Sequence, residues 1–92
     1  MSDSDVVKNM IADMGGKENI LSYTHCATRM RFKLVDENKA QTKKIEKLNG
    51  VISVVKAAGQ YQVVFGPKVI DIYNEVQNQL GDTKKLSNLL CK

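Results

Sequence analysis

One stretch of the chain concentrates reactive and charged groups. Thr24-His25-Cys26-Ala27-Thr28-Arg29-Met30-Arg31 sets a thiol beside a hydroxyl and two guanidinium groups within five residues. A guanidinium stays protonated at any working pH and presents a planar fork of donors that suits phosphate oxygens. A thiol next to such charge loses its proton more readily than free cysteine, and the thiolate is the nucleophile. The stretch therefore has the chemistry of a site that holds an oxyanion next to a nucleophile, with Cys26 as the nucleophile and Arg29 and Arg31 offsetting charge.

The flanking residues read as two strands. From Asn19 to His25, Ile20, Ser22 and Thr24 alternate with Leu21, Tyr23 and His25. From Arg29 to Val35, Met30, Phe32 and Leu34 face one way and Arg29, Arg31 and Lys33 the other, giving an apolar and a cationic side. Only Cys26, Ala27 and Thr28 separate the strands, so the spacing predicts a tight hairpin with Cys26 at its turn. Successive backbone N–H groups of such a turn form a concavity for an anion. A phosphate-sized cradle is expected from Ala27, Thr28, Arg29, Met30 and Arg31. Thr28 reads equally as a turn residue and as a hydroxyl donor to phosphate. His25 reads as a base for Cys26 only if the turn brings the two together, since strand neighbours point to opposite faces; a local electrostatic influence is its other reading. Gln62 and Gly66 would border the cradle from elsewhere, although Gln62 also reads as a plain solvent-face residue.

The rest of the chain supplies the frame. A first helix, capped by Asp3 or Ser4, carries Val6, Val7, Met10, Ile11 and Met14 at helical spacing and ends at Gly15-Gly16. Asn38 with Gln41 three residues on predicts a capping box for a second helix bearing Ala40, Lys44, Ile45 and Leu48, ended by Asn49-Gly50. Val51 to Ala57 and Gln60 to Phe65 read as a second hairpin about Ala58-Gly59, with Tyr61, Val63 and Phe65 sharing a face. Gly66-Pro67 opens a third helix with the stripe Val69, Ile72, Tyr73, Val76 and Leu80, and Gly81 closes it. The order αββαββα predicts an α+β fold: an open four-stranded antiparallel sheet with three helices on one face and the other face partly exposed. Residues 1–81 would form the domain, and 82–92, with Leu86, Leu89 and Leu90 but no strong cap, read as the start of a linker.

Composition narrows the function classes. Ninety-two residues make one domain with a small core. A hydrophobic share of 42% with 26% charged residues is that of a globular protein. No apolar run approaches a membrane span, and the acidic start Met1-Ser2-Asp3-Ser4-Asp5 has the wrong sign for a signal peptide, so a soluble, cytosolic domain is expected. The net charge of +4 comes from scattered lysines, and Tyr23, Phe32, Tyr61, Phe65 and Tyr73 fall mostly at core positions instead of on a basic face, so no nucleic-acid partner is expected. Cys26 and Cys91 lie far apart without metal spacing; both should be free thiols, and neither a metal nor a cofactor is expected. A cysteine-dependent phosphatase would need arginine six positions after the cysteine, where this chain has Phe32. A binding module in which Cys26 is merely buried is the remaining rival, and it predicts an unreactive thiol.

The octapeptide around Cys26 resembles the phosphocysteine site of enzyme IIB domains of the sugar phosphotransferase system, in the glucose-type superfamily and nearest its beta-glucoside and sucrose members. Gly15-Gly16-Lys17-Glu18-Asn19-Ile20, Gly50-Val51-Ile52 and Gly59-Gln60-Tyr61-Gln62-Val63-Val64-Phe65-Gly66 extend the resemblance in order and spacing over most of residues 3–80. The resemblance implies a phosphotransferase component. Cys26 would take a phosphoryl group from a phosphohistidine of a IIA domain and donate it to a sugar carried by a membrane IIC domain, with Arg29 and Arg31 assisting. It further implies a position on the cytoplasmic side of the cell membrane, tethered to IIC. The domain alone should not bind sugar, because nothing in the chain reads as a sugar pocket.

Overall fold

The computed structural model describes residues 2–57 and 59–81. Helix α1 spans Asp3–Asp13, and its N-cap is Ser2, whose side chain accepts from the Asp5 N–H at 3.2 Å. The cap thus falls just ahead of the expected Asp3 or Ser4, because a serine hydroxyl there reaches a free first-turn N–H. Val6, Val7, Met10 and Ile11 form the buried stripe of α1. After Gly15 and Gly16 a 3-10 turn, Lys17–Asn19, delivers the chain into β1, Ile20–His25.

Strand β1 pairs antiparallel with β2, Arg29–Leu34. The ladder runs Ile20↔Leu34, then Ser22↔Lys33, Tyr23↔Phe32, Thr24↔Arg31 and His25↔Met30. Leu21 is therefore an extra residue, a bulge, and 53% of it is exposed. One inserted residue inverts the phase of alternation beyond it. The strict alternation expected for β1 fails for this reason: Ile20 and Tyr23, three apart, are both fully buried. Strand β2 has no such interruption, and Met30, Phe32 and Leu34 are buried as expected.

The second helix departs from expectation. Asp36 accepts from the Asn38 N–H at 2.9 Å and caps a separate 3-10 turn, Glu37–Lys39. The Gln41 N–H donates to the Asp13 carbonyl at 2.7 Å, tying the segment to the end of α1. The capping box does not form, and α2 is confined to Thr42–Glu46, with Gln41 at its N-cap making no side-chain bond. An aspartate offering a local turn has outcompeted a longer helix.

Strands β3, Ser53–Ala57, and β4, Gln60–Val64, form the second hairpin. The sheet order is β1-β2-β4-β3, antiparallel throughout, so the hairpins join through their inner strands β2 and β4. Their register is Arg29↔Val64, Met30↔Val63, Arg31↔Gln62 and Phe32↔Tyr61. A 3-10 turn, Gly66–Lys68, contains Pro67 and leads into α3, Val69–Leu80. Its buried residues are Val69, Ile72, Tyr73, Val76 and Leu80, and Gly81 is its C-cap. The three helices cover one face of the sheet, where Tyr23, Met30, Phe32, Tyr61 and Val63 are fully buried. Each such side chain contributes about 1.5–3 kcal/mol through burial. The opposite face carries Thr24, Arg29, Arg31 and Gln62.

Candidate functional site

The hairpin turn is set by one short bond: the Cys26 N–H donates to the Arg29 carbonyl at 3.0 Å, leaving Ala27 and Thr28 exposed at the tip. The Thr28 carbonyl accepts from the Phe65 N–H at 2.9 Å and the Gly66 N–H at 3.0 Å. The start of α3's 3-10 turn therefore braces the tip that carries Cys26. Gly66 contributes backbone, at a φ of 72° that a side chain rarely tolerates.

Three donors converge on the thiol. Arg31 Nε lies 3.3 Å from Cys26 Sγ, and the backbone N–H groups of Thr28 and Arg29 also bond to it. Partial burial pushes the thiol up, but the Arg31 hydrogen bond and charge and the two backbone donors outweigh it, so Cys26 sits below its ordinary value. All three donors favour the thiolate over the thiol.

The arginines are held from the neighbouring strand. Arg29 Nη1 donates to Gln62 Oε1 at 2.9 Å, and Arg31 Nη1 donates to Gln60 Oε1 at 3.0 Å. Gln62 Nε2 donates to the same Gln60 oxygen at 3.2 Å. Cys26, Arg31, Gln60, Gln62 and Arg29 thus form one continuous hydrogen-bonded chain. Gln62 is only 4% exposed, which overturns its reading as a solvent-face residue: it is buried and holds Arg29.

Other expected site residues are placed differently. Met30 is fully buried on the helix side, so it can offer the cradle only backbone. The His25 ring lies against Tyr73, with centroids 4.2 Å apart, and its Nδ1 is 3.0 Å from the Cys26 carbonyl oxygen, not the sulfur. The bulge at Leu21 puts His25 on the helix side of the sheet, while the uninterrupted alternation of β2 puts Arg31 on the other. Phe32, where a phosphatase loop would need arginine, is a core residue. Cys91 lies outside the described residues, as does the tail from 82.

Gln60 escaped the sequence reading. Its signal was present, since Gln60 and Gln62 share a strand face at the spacing of Arg29 and Arg31, but which strand they would pair with is not written in local pattern. Among the described residues no three His, Cys, Asp or Glu side chains come together to hold a metal ion, and no helix is long and apolar enough to cross a membrane. What the arrangement can do is bind an anion's oxygens with guanidinium and backbone donors while keeping a thiolate beside them.

Fold and site together define a small α+β domain that presents a thiol beside a guanidinium donor at the end of an open, partly cationic sheet. The family model for the EIIB of the phosphotransferase system matches residues 8–41. The beta-glucoside-specific EIIBCA component of Halalkalibacterium halodurans is 40% identical over 102 aligned residues, covering 100% of this chain and 16% of that protein. The sucrose-specific EIIBC component of Bacillus subtilis is 40% identical over 79 residues, covering 82% of this chain and 17% of that protein. The crystal structure of one domain of the PTS system IIabc component from Clostridium difficile superposes with a TM-score of 0.77 at 36% identity, over 92% of this chain and 88% of that one. The chain belongs to the EIIB family of the phosphotransferase system. It spans about a sixth of the length of the two multi-component relatives.

Proposed function

We propose that this domain is a phosphocysteine relay. The Cys26 thiolate attacks the phosphorus of a phosphohistidine on a IIA domain; the S–P bond forms, the P–N bond breaks, and the imidazole leaves with the electron pair. In the second step a sugar hydroxyl held by a IIC domain attacks the same phosphorus. An O–P bond forms, the S–P bond breaks with its electron pair returning to the thiolate, and the hydroxyl proton passes to a general base at the IIC sugar site. Arg31, Arg29 and the turn N–H groups offset charge on the three equatorial oxygens in both steps. The observation that carries this reading is the Arg31 Nε donor 3.3 Å from Cys26 Sγ, on an exposed turn that two partners can approach in succession.

The names of the relatives, beta-glucoside- and sucrose-specific, point to a glycoside or sucrose as the sugar served. Residues 1–81 would be the EIIB domain and 82–92 the start of a linker toward a membrane IIC component, holding the domain at the cytoplasmic face. The test is intact mass after incubation with a phosphorylated IIA donor. One phosphoryl group should appear on wild type and on Cys91→Ser but not on Cys26→Ser. Phosphate that survives loss of Cys26, or none on wild type, rejects the relay.

A further inference from the structure

Arg29 and Arg31 do not bond the residues that face them across the β2–β4 ladder. Arg31 faces Gln62 yet donates to Gln60, and Arg29 faces Val64 yet donates to Gln62. Each reaches diagonally to the position two residues earlier on β4, a distance long side chains span. Gln60 is where the two reaches are joined, because its oxygen accepts from both Arg31 Nη1 and Gln62 Nε2. Both amides have forced orientations. An arginine can only donate, so each glutamine must turn its oxygen to its arginine, which leaves the Gln62 NH2 to close the chain onto Gln60.

We propose that Gln60 is a positioning residue: it holds the Arg31 guanidinium between strands so that Nε stays on the Cys26 sulfur, and it couples Arg31 to Arg29 through Gln62. Arg31 is gripped at opposite ends, by Cys26 through Nε and by Gln60 through Nη1, which leaves Nη2 for an incoming phosphoryl oxygen. The tether is also neutral. A glutamate in the same place would accept the same hydrogen bond but place a negative charge on the guanidinium and beside the phosphoryl group, opposing the thiolate and the incoming anion alike. Gln60 therefore orients the cation without spending its charge. This assignment rests on the relay reading only for its catalytic consequence; the hold on the thiol stands without it.

The test uses the full chain carrying Cys91→Ser, so that Cys26 is the sole thiol, with Gln60→Met and Gln60→Glu added. Methionine keeps the length and removes the acceptor, while glutamate keeps the acceptor and adds charge. Two measurements are made: the pH profile of iodoacetamide alkylation, and the rate of phosphoryl acceptance against IIA donor concentration. Thermal unfolding confirms that the variants fold. The expected result is that both variants move the alkylation profile to higher pH and lower the rate at neutral pH about threefold or more, glutamate more than methionine. Phosphoryl acceptance should lose kcat with donor KM unchanged. A Gln60→Met protein with a wild-type alkylation profile overturns the proposal. Absence of phosphate on the parent protein would instead reject the relay, and the alkylation profile would still decide Gln60.

Discussion

Gly66 donates its N–H to the Thr28 carbonyl at 3.0 Å, so the residue that opens the third helical segment also braces the turn that presents Cys26. Its φ of 72° lies where an L side chain is strained, while a Cβ built there would meet only Ile52 Cδ1 at an ordinary 3.4 Å. The cost of Gly66→Ala is therefore conformational and not a clash. A loss of about 1–2 kcal/mol in chemical denaturation is expected, together with weaker anion capture at the turn, read as slower phosphoryl acceptance.

Arg31→Lys keeps the charge but not the rigid fork that serves Cys26 and Gln60 at once. A lysine can satisfy one of these partners at a time. Phosphoryl acceptance should fall about 100-fold, the scale of losing one preorganised donor at a transferring group. Rapid-quench measurement of phosphocysteine formation decides it, and a loss under about threefold would mean that charge alone suffices.

The Cys26 thiol lies below its ordinary value because the Arg31 bond and charge and the backbone donors outweigh its partial burial. Alkylation in a Cys91→Ser protein should therefore proceed at a lower pH than that of a free thiol at about 8.5. Arg31→Met should return the profile upward. The linkage has a definite sign: a group whose folded value is depressed stabilises the fold above its unfolded value, and that contribution is lost as pH falls through the folded value. The stability difference between wild type and Cys26→Ser should accordingly shift in favour of wild type as pH rises through this window, which denaturation midpoints at several pH values will show.

Asn19 is a buried clamp between α1 and the β2 exit. Its Nδ2 donates to the Met14 carbonyl at 2.7 Å and the Asp36 carbonyl at 2.9 Å, and its Oδ1 accepts from the Asp36 N–H at 3.0 Å. Asn19→Ala strands three backbone groups, and a destabilisation of about 2–3 kcal/mol is expected in urea denaturation. Phosphoryl acceptance by the folded fraction should change little, since the clamp lies away from the Cys26 turn.

Periodic signals were legible along the chain. The alternation of Arg29–Leu34 and the stripe Val69, Ile72, Tyr73, Val76 and Leu80 depend on which residues follow one another, and a strand or helix of that pattern buries the same face wherever it packs. The same locality placed Cys26 on a turn with two arginines on one side of the next strand. Residues whose placement depends on a distant partner were not legible. The bulge at Leu21, which sends His25 to Tyr73 instead of toward the thiol, exists because β1 must match the register of β2. The start of α2 is fixed in part by the Gln41 N–H bonding the Asp13 carbonyl, far back in the chain, beside the local turn capped by Asp36.

The amino-acid sequence by itself determined the four strands, the first and third helices, their order and the turn that carries Cys26, because each is written in neighbours along the chain. Only the tertiary structure decided that β4 lies beside β2 in the register that sets Gln60 and Gln62 under Arg31 and Arg29. Strand pairing is a choice among surfaces brought together by the shared core, and hydrogen bonds across it connect residues about thirty positions apart that no local pattern relates.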